Sequence, residues 1–268
     1  MNLAIDAHEI SEPEFRRRYV ELGRVGARRA CGETLAEGWR LVERAIVAGT
    51  QMASVVVSDR VLQRPTKDES RVIAMVSAVG IDTHQVSPAM FSQLTQGRSY
   101  GDIIARVALP ARFDSGQADL ERILVGVDVL DPGNIGALWR TAHALGVDGV
   151  VWCRGTDPTH PKAVRTSMGS CFRLPYVHHV ADPAEMMRIL TKCGWSHVAM
   201  AIDGGTDQVQ AGHRSALWVG GEAHGLPADI VAQAQFVMTI ETVNSCNSLS
   251  VNAAAAIGLS HIAVPKDD

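Results

Sequence analysis

Ile123-Leu-Val-Gly-Val-Asp-Val-Leu130 runs directly into Asp131-Pro-Gly-Asn-Ile-Gly136, and Gly149-Val-Val-Trp152 follows one helical stretch later. The first run is almost wholly apolar and rich in β-branched residues, the pattern of a strand buried on both faces. Ile135, Leu138, Ala142 and Leu145 then repeat at helical spacing, and Gly146 closes the helix. Strand, helix and strand in that order predict a parallel sheet. The alternation continues with a helix over 183–193, strands from His197 to Ile202 and Ala216 to Gly220, a helix over 227–234, a strand from Phe236 to Ile240 and a terminal helix from Ser250 to Ile262.

Upstream, Pro110 to Asp119 is polar and holds both Pro and Gly, which marks a linker between two apolar-patterned regions. Residues 1–112 are therefore expected as a smaller N-terminal α/β domain, 113–122 as the linker and 123–268 as the main domain. Within the first, Leu35, Trp39, Val42 and Ile46 form a helical stripe over 35–48, closed by Gly49. Strands are predicted at Ala53 to Ser58, Ile81 to Val86 and Ile103 to Leu109, with a helix from Arg71 to Val79.

The 268 residues are 46% hydrophobic and 20% charged, as in an ordinary soluble globular chain of one or two domains. Five cysteines without a C-x-x-C pair argue against a disulfide scaffold and for a reducing compartment. The opening MNLAIDAHEI carries acids where a signal peptide needs a basic flank, and no apolar run reaches membrane-spanning length. A cytoplasmic location is expected, with no membrane partner. Residues 1–115 carry 15 Lys/Arg against 14 Asp/Glu, and 116–268 carry 10 against 15, so no global field advertises nucleic acid. Locally, Arg16, Arg17, Arg18, Arg24, Arg28 and Arg29 crowd into fourteen residues. A solvated helix face and a contact to a phosphate backbone both fit that cluster.

Three loops at strand ends carry polar chemistry. Asp131 to Gly136 combines a Pro-Gly turn with Asn134, and opens a helix that presents Arg140. By itself this is also an ordinary turn and cap. Val219-Gly-Gly-Glu-Ala-His-Gly-Leu226 has three glycines, which let a flat ligand or another backbone lie against the main chain, beside Glu222. G-x-G-x-x-G is absent, which counts against a dinucleotide fold. Glu241 to Asn252 holds seven Ser, Asn or Thr in twelve residues before the run Ala253 to Ala256, more than a plain N-cap explains. His160, His178, His179 and His224 lack metal-ligand spacing with any cysteine, so no metal is expected. Cys171 and Cys246 read as small buried residues rather than nucleophiles.

These loops in this order, together with Arg165-Thr-Ser-Met-Gly-Ser-Cys-Phe-Arg-Leu-Pro175, resemble the SpoU (TrmH-like) RNA ribose 2′-O-methyltransferases. Gly32 to Gly49 is similar to that family's ribosomal-protein-like substrate-binding domain. The resemblance implies a parallel sheet tied into a deep trefoil knot, S-adenosylmethionine as cofactor, a homodimer, and RNA as substrate, ribosomal RNA rather than transfer RNA. It places the methyl donor against the main chain around Gly220, Ile240 and Leu249, and the catalytic polar positions at Asn134, Arg140, Glu222 and Ser248. Arg140 matches the family's favoured catalytic residue; as a permanent cation it suits positioning of a phosphate or hydroxyl better than proton abstraction. One departure stands out. The family usually reads Ser-Leu-Asn-Val-Ser, whereas this chain reads Ser248-Leu-Ser-Val-Asn252. That exchange bears on the substrate-side contacts and motivates the alternative of a catalytically idle RNA-binding relative.

Overall fold

The computed structural model describes residues 6–95, 101–112, 119–179, 182–243 and 248–262. The chain forms two compact units, one of Met1–Leu109 with Thr159–Phe172, the other of Pro110–Pro158 with Arg173–Asp268. Residues 159–172 thus group with the first unit, apart from the continuous run 123–268 in which the sequence pattern places them.

The first unit is built from β1 (Ala7–Glu9), α1 (Glu12–Arg18), α2 (Val25–Cys31), β2 (Glu33–Glu37), α3 (Trp39–Val47), β3 (Met52–Ser58), α4 (Asp59–Gln63), α5 (Lys67–Val79), β4 (Thr83–Val86), α6 (Pro88–Thr95) and β5 (Ile103–Ala108). Its sheet has the order β1-β4-β3-β5-β2, with β2 and β3 antiparallel to β5. The helix expected from Leu35 is corrected here: Leu35 lies in β2, opposite Arg106, and the helix begins only at Trp39. Gly38, at φ 95°, makes the break. Open positions on β5 draw residues 33–37 into a ladder, and the strand's inward Leu35 falls by coincidence on the helical stripe. α5 opens on a capping box, Thr66 Oγ1 accepting from the Glu69 amide while Glu69 accepts from the Thr66 amide.

In the second unit β6 (Arg122–Val127), α7 (Pro132–Ala144) and β7 (Gly149–Cys153) follow in order; α8 (Pro161–Thr166) falls in the segment that groups with the first unit. The chain continues with β8 (Tyr176–His179), α9 (Pro183–Lys192), β9 (Ser196–Ala201), β10 (Ser215–Gly220), α10 (Ala228–Gln233), β11 (Phe236–Thr239) and α11 (Val251–His261). The six strands are all parallel, in the order β11-β9-β10-β6-β7-β8. β8 had no counterpart in the sequence pattern. Every residue of β7 and all but the first of β6 are buried, as both faces of a covered parallel sheet require. On one face Ile123, Val125, Val127 and Trp218 meet Met186, Met187 and Leu190 of α9. Trp139 of α7 stacks edge-on against Trp152 at 5.9 Å and donates its indole N–H to the Leu174 carbonyl. The parallel sheet is the one the resemblance implies; of the segment that joins β11 to α11, residues 244–247 lie outside the described residues.

Candidate functional site

Asp131 is the N-cap of α7, its Oδ1 accepting from the Gly133 amide at 2.7 Å, and Pro132 occupies the first turn. With Asp131 as the cap, the Asn134 side chain is free of the turn-and-cap role that this loop by itself suggests. Its side-chain Nδ2 instead donates to Glu222 Oε1, 88 residues away. The approach to this loop is held by a second pair: Arg154 Nε donates to Asp128 Oδ1 at 3.0 Å and its Nη2 contacts Oδ2. Asp128 (φ 54°) and Arg154 (φ 57°) both take the left-handed backbone that non-glycine residues avoid.

The glycines of the second loop are explained by the chain's own backbone. A Cβ on Gly220 would lie 1.9 Å from the Gly225 carbonyl carbon, and one on Gly221 would lie 2.2 Å from the Asp128 oxygen. The turn closes with Gly225 N–H donating to the Gly221 carbonyl at 2.9 Å. Glu222 stands exposed at its tip.

In the third loop Ser248, Leu249 and Ser250 are exposed, and residues 244–247, including Cys246, lie outside the described residues. Ser250 caps α11, its Oγ accepting from the Ala253 amide at 3.3 Å. Asn252, half-buried in the first turn, donates from Nδ2 to Asn134 Oδ1 at 3.3 Å. The exchanged positions thus have separate partners: Ser250 binds its own helix, and Asn252 reaches the first loop.

A cavity of about 600 Å³ opens at the carboxyl ends of β9 and β10, within the range of roughly 300–1,000 Å³ typical of small-molecule sites. Gly220, Ile240 and Leu249, expected to hold a cofactor, all line it, as do Glu222 and Ser248. Asn134 lies outside the lining and connects to it through Glu222; Arg140, exposed on α7, lies outside it too. Arg140 makes no hydrogen bond or ion pair with any described residue. Met200, Ala201, Ile202 and Asp203 complete one wall and were missed from sequence. Only the strand order, which sets β9 beside β10, could have found them.

Burial raises the Cys171 and Cys153 thiols to about 12, which keeps both protonated and inert at neutral pH. His160 caps α8 by accepting from the Lys162 amide, and His224 is exposed. Among the described residues no group of three or more His, Cys, Asp or Glu is placed to hold a metal ion. No helix among them is long and apolar enough to cross a membrane.

A parallel α/β sheet with a cavity at its carboxyl ends, lined by glycine backbone and by the carboxylates of Asp203 and Glu222, defines a small-ligand-binding α/β protein of the open-sheet class. A profile of the SpoU rRNA Methylase family matches residues 121–260, and the chain belongs to that family. It is 29% identical to the 23S rRNA (guanosine(2553)-2′-O)-methyltransferase RlmP of Bacillus subtilis, over 85% of this chain and 87% of that one. It is 28% identical to the 23S rRNA (uridine(2479)-2′-O)-methyltransferase of Streptomyces viridochromogenes, over 88% of this chain and 84% of that one. Among solved structures, the SpoU methyltransferase AviRb from the same organism, in complex with the cofactor AdoMet, superposes with a TM-score of 0.78 at 25% identity, over 92% of this chain and 95% of that one.

Proposed function

We propose that this chain methylates a ribose 2′-hydroxyl in structured RNA using S-adenosylmethionine, with ribosomal RNA favoured over transfer RNA, as a homodimer in the cytoplasm. The observation that carries the reading is the cavity at the carboxyl ends of β9 and β10, which joins Gly220, Ile240 and Leu249 to Glu222 and Ser248. The cofactor fits this donor set: Leu226, Ile240 and Leu249 offer apolar walls, while the glycine turn and strand ends offer main-chain N–H and C=O groups to a purine and an amino-acid moiety. When bound, S-adenosylmethionine supplies an electrophilic methyl group on a sulfonium centre.

The chain's own residues have the remaining tasks. Methyl transfer to a hydroxyl depends on alignment and on a route for the hydroxyl proton, and calls for no nucleophile on the protein. Arg140, exposed and without a partner among the described residues, is available to a phosphate or hydroxyl of the target nucleotide, and its forked donors can hold both. Glu222, steered by Asn134, presents a carboxylate at the cavity rim. Ser248 adds a hydroxyl there. Residues 1–112 serve as the substrate-binding domain, 113–122 as the linker and 123–268 as the methyltransferase domain in this reading. Relatives named as 23S rRNA enzymes match this chain across 85% and 88% of its length, which supports ribosomal RNA.

Calorimetric titration with S-adenosylmethionine should give one site per chain, and ribosomal RNA from a strain lacking the gene should accept methyl groups on ribose. Mass mapping of both ribosomal and transfer RNA from that strain identifies the nucleotide. No donor binding, or a full complement of 2′-O-methyl groups in the deletion strain, would overturn the proposal.

A further inference from the structure

Glu222 is joined to Asn134, and Asn134 to Asn252, by successive side-chain hydrogen bonds. The order of donors along this chain follows from chemistry. An ionised carboxylate only accepts, so Asn134 must turn its Nδ2 toward Glu222; its Oδ1 then faces the other way and needs a donor. Asn252 Nδ2 is that donor, at 3.3 Å. An asparagine amide is nearly symmetric in shape, and without a donor on its far side the reversed orientation would set oxygen against carboxylate.

We infer that Asn252 is a positioning residue, which locks the Asn134 amide in the orientation that holds the Glu222 carboxylate at the cavity rim. The inference rests on the methyl-transfer reading of this site. It also explains the exchange in the third loop. A serine suffices to cap α11, and Ser250 does so. The longer amide at 252 spans the gap to the first loop, which a serine hydroxyl, one bond shorter and free to rotate, would neither reach nor orient in the same way. Asn252 Oδ1 is buried with no hydrogen-bond partner, so Nδ2 is the amide's one anchoring contact among the described residues.

The test uses the full chain, S-adenosylmethionine and ribosomal RNA from a strain lacking the gene. Asn252→Ala should lower kcat by about tenfold or more while donor Kd and the KM for RNA stay within about twofold. Combined with Asn134→Ala it should lower kcat no further than Asn134→Ala alone, because the two act as one unit. Asn252→Asp keeps the shape but sets an acceptor against Asn134 Oδ1, and should be slower than Asn252→Ala. A space-filling role predicts the reverse order. Urea unfolding of the ligand-free proteins supplies a readout independent of catalysis: the double variant's midpoint should match that of Asn134→Ala. Additive losses, an Asp variant as fast as wild type, or additive midpoint shifts would overturn the inference. Wild-type protein that neither binds donor nor methylates RNA would overturn the function instead, and the urea cycle would still decide the link between Asn252 and Asn134.

Discussion

Arg140 and Arg28 look alike in the sequence, one arginine on each of two amphipathic helices, yet the fold uses them in opposite ways. Arg28 is 1% exposed, and its guanidinium donates to the Leu22 and Gly23 carbonyls and to Thr159. It therefore drops out of the arginine cluster as a site for a phosphate backbone. Arg140 is exposed and unengaged by described residues, the condition of a cation kept for a ligand. Arg140→Ala should leave the donor dissociation constant nearly intact while lowering single-turnover methylation by about a hundredfold or more, since the lost contact belongs to the transition state. Arg140→Lys should recover little, because lysine keeps the charge without the planar fork. Turnover of Arg140→Ala within about threefold of wild type would make it an ordinary surface residue. Asn134 shows what sequence hides at this scale. Beside Pro132 and Gly133 it reads as a turn residue, and only a partner 88 positions away reveals its use.

At the scale of elements, helix ends and strand neighbours are decided by different rules. Caps are local, so the loops that hold Asp131 and Ser250 are visible in the sequence, whereas α5 opens at Lys67 on the Thr66–Glu69 box, four residues before the start expected at Arg71. Strand partners are remote, and for that reason residues 35–37 read as helix until β5 is placed beside them. The junction of β9 and β10 yields a pH prediction. His197 is buried, accepts from Trp218 Nε1 at Nδ1 (3.0 Å) and so carries its proton on Nε2, which faces Thr191 Oγ1 at 2.9 Å. Burial lowers its pKa from 6.5 to about 4. The folded chain thus excludes a proton that the unfolded chain takes up below about pH 6.5, so stability is complete above that pH and declines as pH falls toward 4. The decline should be on the order of 2–3 kcal/mol, read as a shift in urea midpoint between pH 7 and 4.5. His197→Leu should be less stable at pH 7, because Trp218 loses its acceptor, and should lose this part of the acid sensitivity. An unchanged pH profile in that variant would show that other groups carry it.

At the scale of the whole molecule, residues 1–115 are near balance in charge and 116–268 carry the acidic excess, so the proposed hold on the RNA backbone away from the target nucleotide is tested on the arginines of the first unit. Arg17 and Arg24 are exposed there, and Arg16 is exposed with a single neighbouring carboxylate, Glu12, at 3.6 Å. Reversing Arg17 and Arg24 to glutamate should weaken RNA binding and flatten its dependence on salt by about one unit of slope per lost phosphate contact. Donor affinity should not move. Unchanged RNA affinity would make these arginines a solvated face. The proposed homodimer is tested by light scattering at micromolar concentration, where a mass near 28.7 kDa would exclude it and twice that mass is expected.

The sequence by itself determined the parallel sheet, most of its strands and the three loops that bear the site, because hydrophobic period, Gly-Pro turns and capping residues act within a few positions of one another. Tertiary structure alone decided that β9 lies beside β10, so that Met200 to Asp203 wall the cavity, and that Arg28 is buried. It also decided that Asn252 and Asn134, 118 positions apart, share a hydrogen bond. Strand order and side-chain contact depend on which distant surfaces bury one another, and the cost of closing a long loop grows only slowly with its length. Local pattern therefore carries little record of which remote partner wins.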